Sequence, residues 1–311
     1  MYRTNQNLAN MVKTSQRKCG FCTETGHNRR SCPNKETKGK TVFNYTPLLL
    51  YIFDFLVADN SYKELYELSQ VSSQFQKSVH FITRNVFEIQ TEICDNTIFK
   101  YFQCFTNLRK LNLTRIFDIH MEYDGKLNRG LKHATSLTQL THLDLSGVES
   151  LPINFLSYFN KHSKLQHLKI SYCPKINNKS LSYLQHFPNL TYLNLRGAYN
   201  ITNLRFLKHC PNLVTLKICC TNIHDNDLKY LKFCTKLNHL TMEVLPHITT
   251  TGFKLISQIR SLHKLHIIYA DLIDNSIAEY LKTMPLLNHV ICRGCDVTNL
   301  SSLTNVSTVE I

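Results

Sequence analysis

The stretch Leu190-Thr191-Tyr192-Leu193-Asn194-Leu195 returns 23 residues later as Leu213-Val214-Thr215-Leu216-Lys217-Ile218, and 24 residues after that as Leu237-Asn238-His239-Leu240-Thr241-Met242. Outward from these three, the pattern Leu-x-x-Leu-x-Leu, with apolar substitutions, also starts at Leu108, Leu140, Leu165, Leu262 and Leu287. A half-copy runs from Val306 through Val309 to Ile311. From Leu140 onward the steps between starts are 25, 25, 23, 24, 25 and 25 residues. Recurrence at so regular a period marks a stack of like supersecondary units, each making its main contacts with its neighbours.

Within a copy, alternation suited to a short strand comes first. An apolar residue follows near the twelfth position (Ile176, Ile201, Ile248, Ile273), and then pairs at helical spacing: Leu181/Leu184, Leu204/Leu207, Leu228/Leu231 and Phe253/Ile256. This reads as one strand and one helix per repeat. No copy can bury its apolar side alone, and each fully buried Leu contributes roughly 1.5 to 3 kcal/mol once its neighbours stack on it. The expected fold is therefore α/β, a solenoid with a curved parallel sheet. Pattern and period resemble the leucine-rich repeat. Cysteines at the ninth repeat position, Cys173 and Cys295, resemble the cysteine-containing subclass found in many F-box proteins.

Residues at positions one, four and six of each strand must point inward, so those at three and five point out of the concave face. The third-position column reads His142, His167, Tyr192, Thr215, His239, Lys264 and His289; the fifth reads Asp144, Lys169, Asn194, Lys217, Thr241, His266 and Ile291. Aligned strands turn these into a ladder rich in imidazole, able to donate, accept or take charge near neutral pH. The expected target-contacting residues are His142, His167, Lys169, Tyr192, Asn194, Lys217, His239, Lys264, His266 and His289. A solvated face with no dedicated partner is the alternative.

The chain has twelve cysteines, but they are spread along 311 residues rather than packed into a short scaffold, which fits a reducing compartment. Cys210 and Cys234 fall at the helix-end position that Phe187, Ile259 and Met284 fill elsewhere, and Cys292 replaces the third leucine of its strand. These, and Cys295 with them, are expected to pack inward as small hydrophobes. The longest apolar run, Pro47 to Ala58, is interrupted by Asp54 and falls short of the about 20 residues a membrane span needs. The polar start has no secretory pattern. A cytoplasmic or nuclear protein is expected. No phosphate-cradling glycine loop, nucleophile elbow or His-Glu-x-x-His helix is present, so no enzyme site emerges.

Residues 44–90 do not follow the repeat period. Leu48, Leu49, Ile52, Phe53 and Leu56 fit one face of a short helix, and Leu65, Leu68, Val71 and Phe75 recur at three and four residues on a second. So small a helical unit leaves an apolar face for another protein or for the first repeat. Ile52 to Leu56 followed by Leu65-x-x-Leu68-x-x-Val71-Ser72-x-x-Phe75 resembles an F-box, although the usual Leu-Pro lead-in is missing and Pro47 stands close to Ile52. An F-box ahead of the repeats, here residues 91–311, is the order of F-box/leucine-rich-repeat proteins. The resemblance implies that Pro47, Leu48, Leu49, Ile52, Phe53, Leu56, Leu65, Leu68, Val71 and Phe75 dock on the Skp-type adaptor of a cullin-RING ubiquitin ligase. The solenoid would then choose the target.

Residues 1–40 carry nine basic side chains against Glu24 and Glu36, a net +7 out of the chain's formal +14. Such an arm attracts phosphate backbones or acidic protein surfaces, or is simply a solvated tail. Within it Cys19, Cys22, His27 and Cys32 stand in C-x2-C-x4-H-x4-C spacing over residues 19–32. Three thiolates and one imidazole complete the closed tetrahedral shell of one structural Zn2+, with Gly20 and Gly26 permitting the short loops. The unit resembles the CCHC zinc knuckle. Phe21 for base stacking, with Arg17, Lys18, Arg29 and Arg30 for phosphates, implies contact with single-stranded nucleic acid; protein contact and a purely structural bead are the other readings. The sequence as a whole is read as a non-catalytic substrate-recognition subunit of a ubiquitin ligase. The alternative is an RNA-binding protein that uses the knuckle and a basic repeat scaffold.

Overall fold

The computed structural model describes residues 88–90, 105–114, 130–149, 151–219, 222–304 and 306–311. Among the described residues, ten strands form one sheet whose spatial order is the chain order. They are β1 Glu88–Gln90, β2 Lys110–Asn112, β3 His142–Asp144, β4 His167–Lys169, β5 Tyr192–Leu195, β6 Thr215–Cys219, β7 His239–Glu243, β8 Lys264–Asp274, β9 His289–Asp296 and β10 Thr308–Glu310. Every neighbouring pair runs parallel and aligns like position with like, apart from a register shift past Ala270 between β8 and β9, so His142 faces His167, His167 faces Tyr192 and Lys264 faces His289.

β1 belongs to a copy the pattern search does not find. Val86 and Ile89 fill its first and fourth positions, but Thr91 stands where the sixth-position apolar residue should be. Its pairing with β2 brings a strand from the 44–90 stretch into the sheet.

Sequence period and burial agree closely. In all eight full copies the side chains at positions one, four and six are at most 1% exposed, and Ile176, Ile201, Ile248 and Ile273 are fully buried. The helix expected in each repeat is a short one. Lys132–Ser136, Phe155–Phe159, Ser182–His186, Arg205–His209 and Asp225–Phe233 are 3-10 helices, and the α-helical pieces Asn178–Leu181, Phe253–Ile256 and Ile277–Leu281 are about one turn long. The apolar pairs are spaced i, i+3, which a three-residue turn satisfies as well as a 3.6-residue one.

A left-handed backbone conformation recurs at the eighth repeat position. Gly147, Tyr172, Gly197, Val244, Tyr269 and Gly294 all have positive φ there, between 52° and 77°. Glycine adopts this region freely; Tyr172, Tyr269 and the β-branched Val244 are held there against their own preference. Tyr172 lies across Gly197 of the next copy and Tyr269 across Gly294, so close that a methyl group on either glycine would meet a ring carbon at 2.7 or 2.6 Å.

The stack is tied together between copies. Asp225 accepts from Thr249 N at 2.8 Å, Thr249 Oγ1 at 2.6 Å and Thr251 Oγ1 at 2.9 Å. The fully buried His162 places Nδ1 2.9 Å from the Phe159 carbonyl and Nε2 3.1 Å from that of Ala134. A neutral imidazole has one N–H for these two acceptors. Burial pulls the His162 pKa below its ordinary value, while both carbonyls hold it up.

Candidate functional site

Since inward positions are sealed, chemistry on the sheet rests with positions three and five. His142, His167, Tyr192, Asn194, Lys217, His239, His266 and His289 are half-buried, and Lys169 and Lys264 are exposed. Thr241, in the same column, is covered by its neighbours: it is 5% exposed, with its hydroxyl 3.3 Å from His239 Nε2.

The imidazole ladder is two clusters rather than one continuous row. In the first, His142 and His167 stack with ring centroids 4.1 Å apart and planes 10° from parallel, and His167 stacks on Tyr192 at 5.4 Å. The Lys169 ammonium is 3.2 Å from the Asp144 carboxylate beside this stack, which balances the local charge. Burial, then His142 and Lys169, lowers the His167 pKa. On β6 Thr215 takes the third position, and the aromatic contact stops.

The second cluster is His239, His266 and His289, with centroids 4.7 Å and 5.2 Å apart and rings tilted or edge-on. Lys217 and Lys264 stand beside it. Burial, then Lys217, Lys264 and His289, lowers the His239 pKa. Burial, then His239, His289, Lys217 and Lys264, pushes His266 down to about 4. Its Nε2 atom is buried without a hydrogen-bond partner among the described residues. No group of three or more His, Cys, Asp or Glu side chains among the described residues is arranged to hold a metal ion. A column of alternating His and Lys letters does not disclose this division, because ring contact depends on side-chain rotamers and on what neighbouring strands carry.

Two ion pairs draw on the seventh position, which sequence reasoning left aside, the second of them with Glu310 of the fifth-position row. Arg196 reaches Glu243 at 2.8 Å, and Arg293 pairs with Glu310. The cysteines behave largely as expected: Cys173, Cys210, Cys234 and Cys292 are at most 1% exposed. Cys295 is the correction. It is only half-buried, since its copy's neighbour is the short half-copy ending in β10. The zinc ligands Cys19, Cys22, His27 and Cys32, the flanking basic residues with Phe21, and the F-box-like residues from Pro47 to Phe75 lie outside the described residues. No helix among the described residues is long and apolar enough to cross a membrane.

Known protein families and curated proteins give no match to the chain. Solved structures do. A leucine-rich-repeat protein of Leptospira interrogans is 14% identical with a TM-score of 0.50, over 75% of this chain and 56% of that one. The fold is a leucine-rich-repeat solenoid. Internalin C2 of Listeria monocytogenes is also similar, at 17% identity and a TM-score of 0.42, over 75% of this chain and 82% of that one. At such identities the likeness concerns the backbone scaffold alone, and its occupants are a separate question.

Proposed function

We propose that the chain is a non-catalytic recognition subunit, in which the F-box-like helices grip a Skp-type adaptor of a cullin-RING ligase and the concave face of the solenoid receives the protein to be ubiquitinated. The observation that carries the target-binding half is the concave face itself. It presents two clusters of half-buried imidazoles with adjacent lysines on a rigid sheet, a surface suited to side-chain recognition. Support for the adaptor half comes from the apolar pattern at Ile52–Leu56 and Leu65–Phe75 placed ahead of the repeats.

The test is capture of the purified adaptor by the full chain. Binding by wild type that is lost in Phe53→Ala and Leu68→Ala supports the ligase reading; no capture, or capture indifferent to both substitutions, removes it. One structural Zn2+ is proposed on Cys19, Cys22, His27 and Cys32. Metal analysis of the full chain should show about one equivalent, lost in Cys22→Ser.

RNA binding is the second reading. The basic arm with its knuckle favours it, as does a patch where Lys208 Nζ lies 5.4 Å from the Tyr230 ring and 5.8 Å from Phe233, with Lys229 and Lys232 beside the same rings. Equal retention of single-stranded RNA by wild type and by the Phe21→Ala, Arg29→Ala double variant would remove the knuckle from that reading.

A further inference from the structure

The two halves of the ladder differ in charge balance, and the difference is local. Around His142 and His167 the lysine is answered by Asp144. Around His239, His266 and His289 the nearby carboxylates are already engaged: Glu243 of β7 by Arg196, and Glu310 of β10 by Arg293 of β9. The charges acting on His266 are those of His239, His289, Lys217 and Lys264.

The register concentrates these groups around one point. In the fifth-position row Thr241 lies between Lys217 and His266; in the third-position row Lys264 lies between His239 and His289. Thr241 is short and covered by its longer neighbours. Lys217, His239, Lys264, His266 and His289 therefore form one continuous patch of nitrogen-bearing side chains above it.

We propose that this patch, formed by Lys217, His239, Lys264, His266 and His289, binds an oxyanion, a phosphate or a carboxylate carried by the target polypeptide. The proposal rests on the reading of the concave face as the target-binding surface. Two ammonium groups provide strong, charge-assisted donors. Imidazoles add donors that strengthen on protonation, and an anion on the patch reverses the electrostatic sign that otherwise opposes protonation of His239 and His266. Binding should thus take up protons and tighten as pH falls from about 7.5 to about 6. Lysines and histidines are point donors without the planar fork that favours arginine at carboxylates, so a compact tetrahedral anion suits the patch.

The full chain is titrated with inorganic phosphate and, separately, with acetate at constant ionic strength, while the imidazole resonances of the histidines are followed by NMR. His239, His266 and His289 are expected to shift saturably, with His142 and His167 unaffected. Lys217→Gln with Lys264→Gln should weaken binding about tenfold, whereas Lys169→Gln should not. Stronger binding of phosphate identifies a phosphorylated target and stronger binding of acetate one rich in Asp or Glu; either supports the site. Equal shifts in both clusters, indifference to the lysine pair, or the same response to added chloride overturns it. Adaptor capture is a separate measurement. A silent patch with capture intact refutes the oxyanion site alone, and phosphate binding without capture refutes the ligase reading alone.

Discussion

The Arg196 guanidinium crosses the end of β6 at Cys219 and meets the Glu243 carboxylate of β7 at 2.8 Å, so one ion pair clamps three consecutive strands. Glu243 is 9% exposed, while the arginine side chain is about half exposed. Truncating the exposed partner leaves a sheltered carboxylate without its charge-assisted donor. Arg196→Ala should destabilise the chain by about 1 to 2 kcal/mol in urea denaturation. Glu243→Gln should cost less, since the arginine can turn to solvent; equal losses would mean that the clamp is not the cause.

Tyr172 over Gly197 and Tyr269 over Gly294 predict an intolerance that no contact tally of a glycine would reveal. Alanine at Gly197 meets both a left-handed φ of 73° and the Tyr172 ring, and should cost about 1 to 3 kcal/mol. In a Tyr172→Gly background the steric part disappears and only the backbone part remains. A double-mutant cycle read by thermal unfolding checks this, and strict additivity would contradict it.

Stability should depend on pH through the second histidine cluster. An unfolded histidine takes its proton near 6.5, whereas folded His266 resists until about 4. Between these values the unfolded chain binds more protons, so stability is complete above about 6.5 and declines as pH falls toward about 4. His167 and His239, both lowered, act in the same direction. Replacing His266 with Gln should flatten that decline, and denaturation midpoints at several pH values with an unchanged slope would argue against it.

Thiol reactivity should follow burial. Desolvation raises Cys173 to about 11 and pushes both Cys210 and Cys292 to about 12, and it raises Cys234 as well. A native alkylation experiment at pH 8, resolved by peptide mass, should leave these four unmodified, with the half-buried Cys295 reacting before them. Prompt labelling of Cys210 or Cys234 would show that the stack opens locally at these copies.

The repeat was legible because stacking imposes one rule on every copy. A sealed position costs stability if polar, so Leu, Ile, Val, Met and Cys recur where the fold requires them. The first strand escaped notice because Thr91 breaks that rule at the sixth position. The return segments were read as helices because i, i+3 pairs do not separate a 3-10 turn from an α turn.

By itself, then, the sequence determined that positions one, four and six are sealed, that the strands from β2 onward stack in parallel in chain order, and which columns face outward. All of these follow from periodicity and from the exclusion of water from apolar groups. Only the tertiary structure decided how the outward residues group. It stacked His142 on His167, covered Thr241 beside His239, spent Glu243 and Glu310 on arginines, and left His239, His266 and His289 among lysines. Those relationships arise from rotamers and charge, most of them between residues on different repeats, and no local pattern along the chain encodes them.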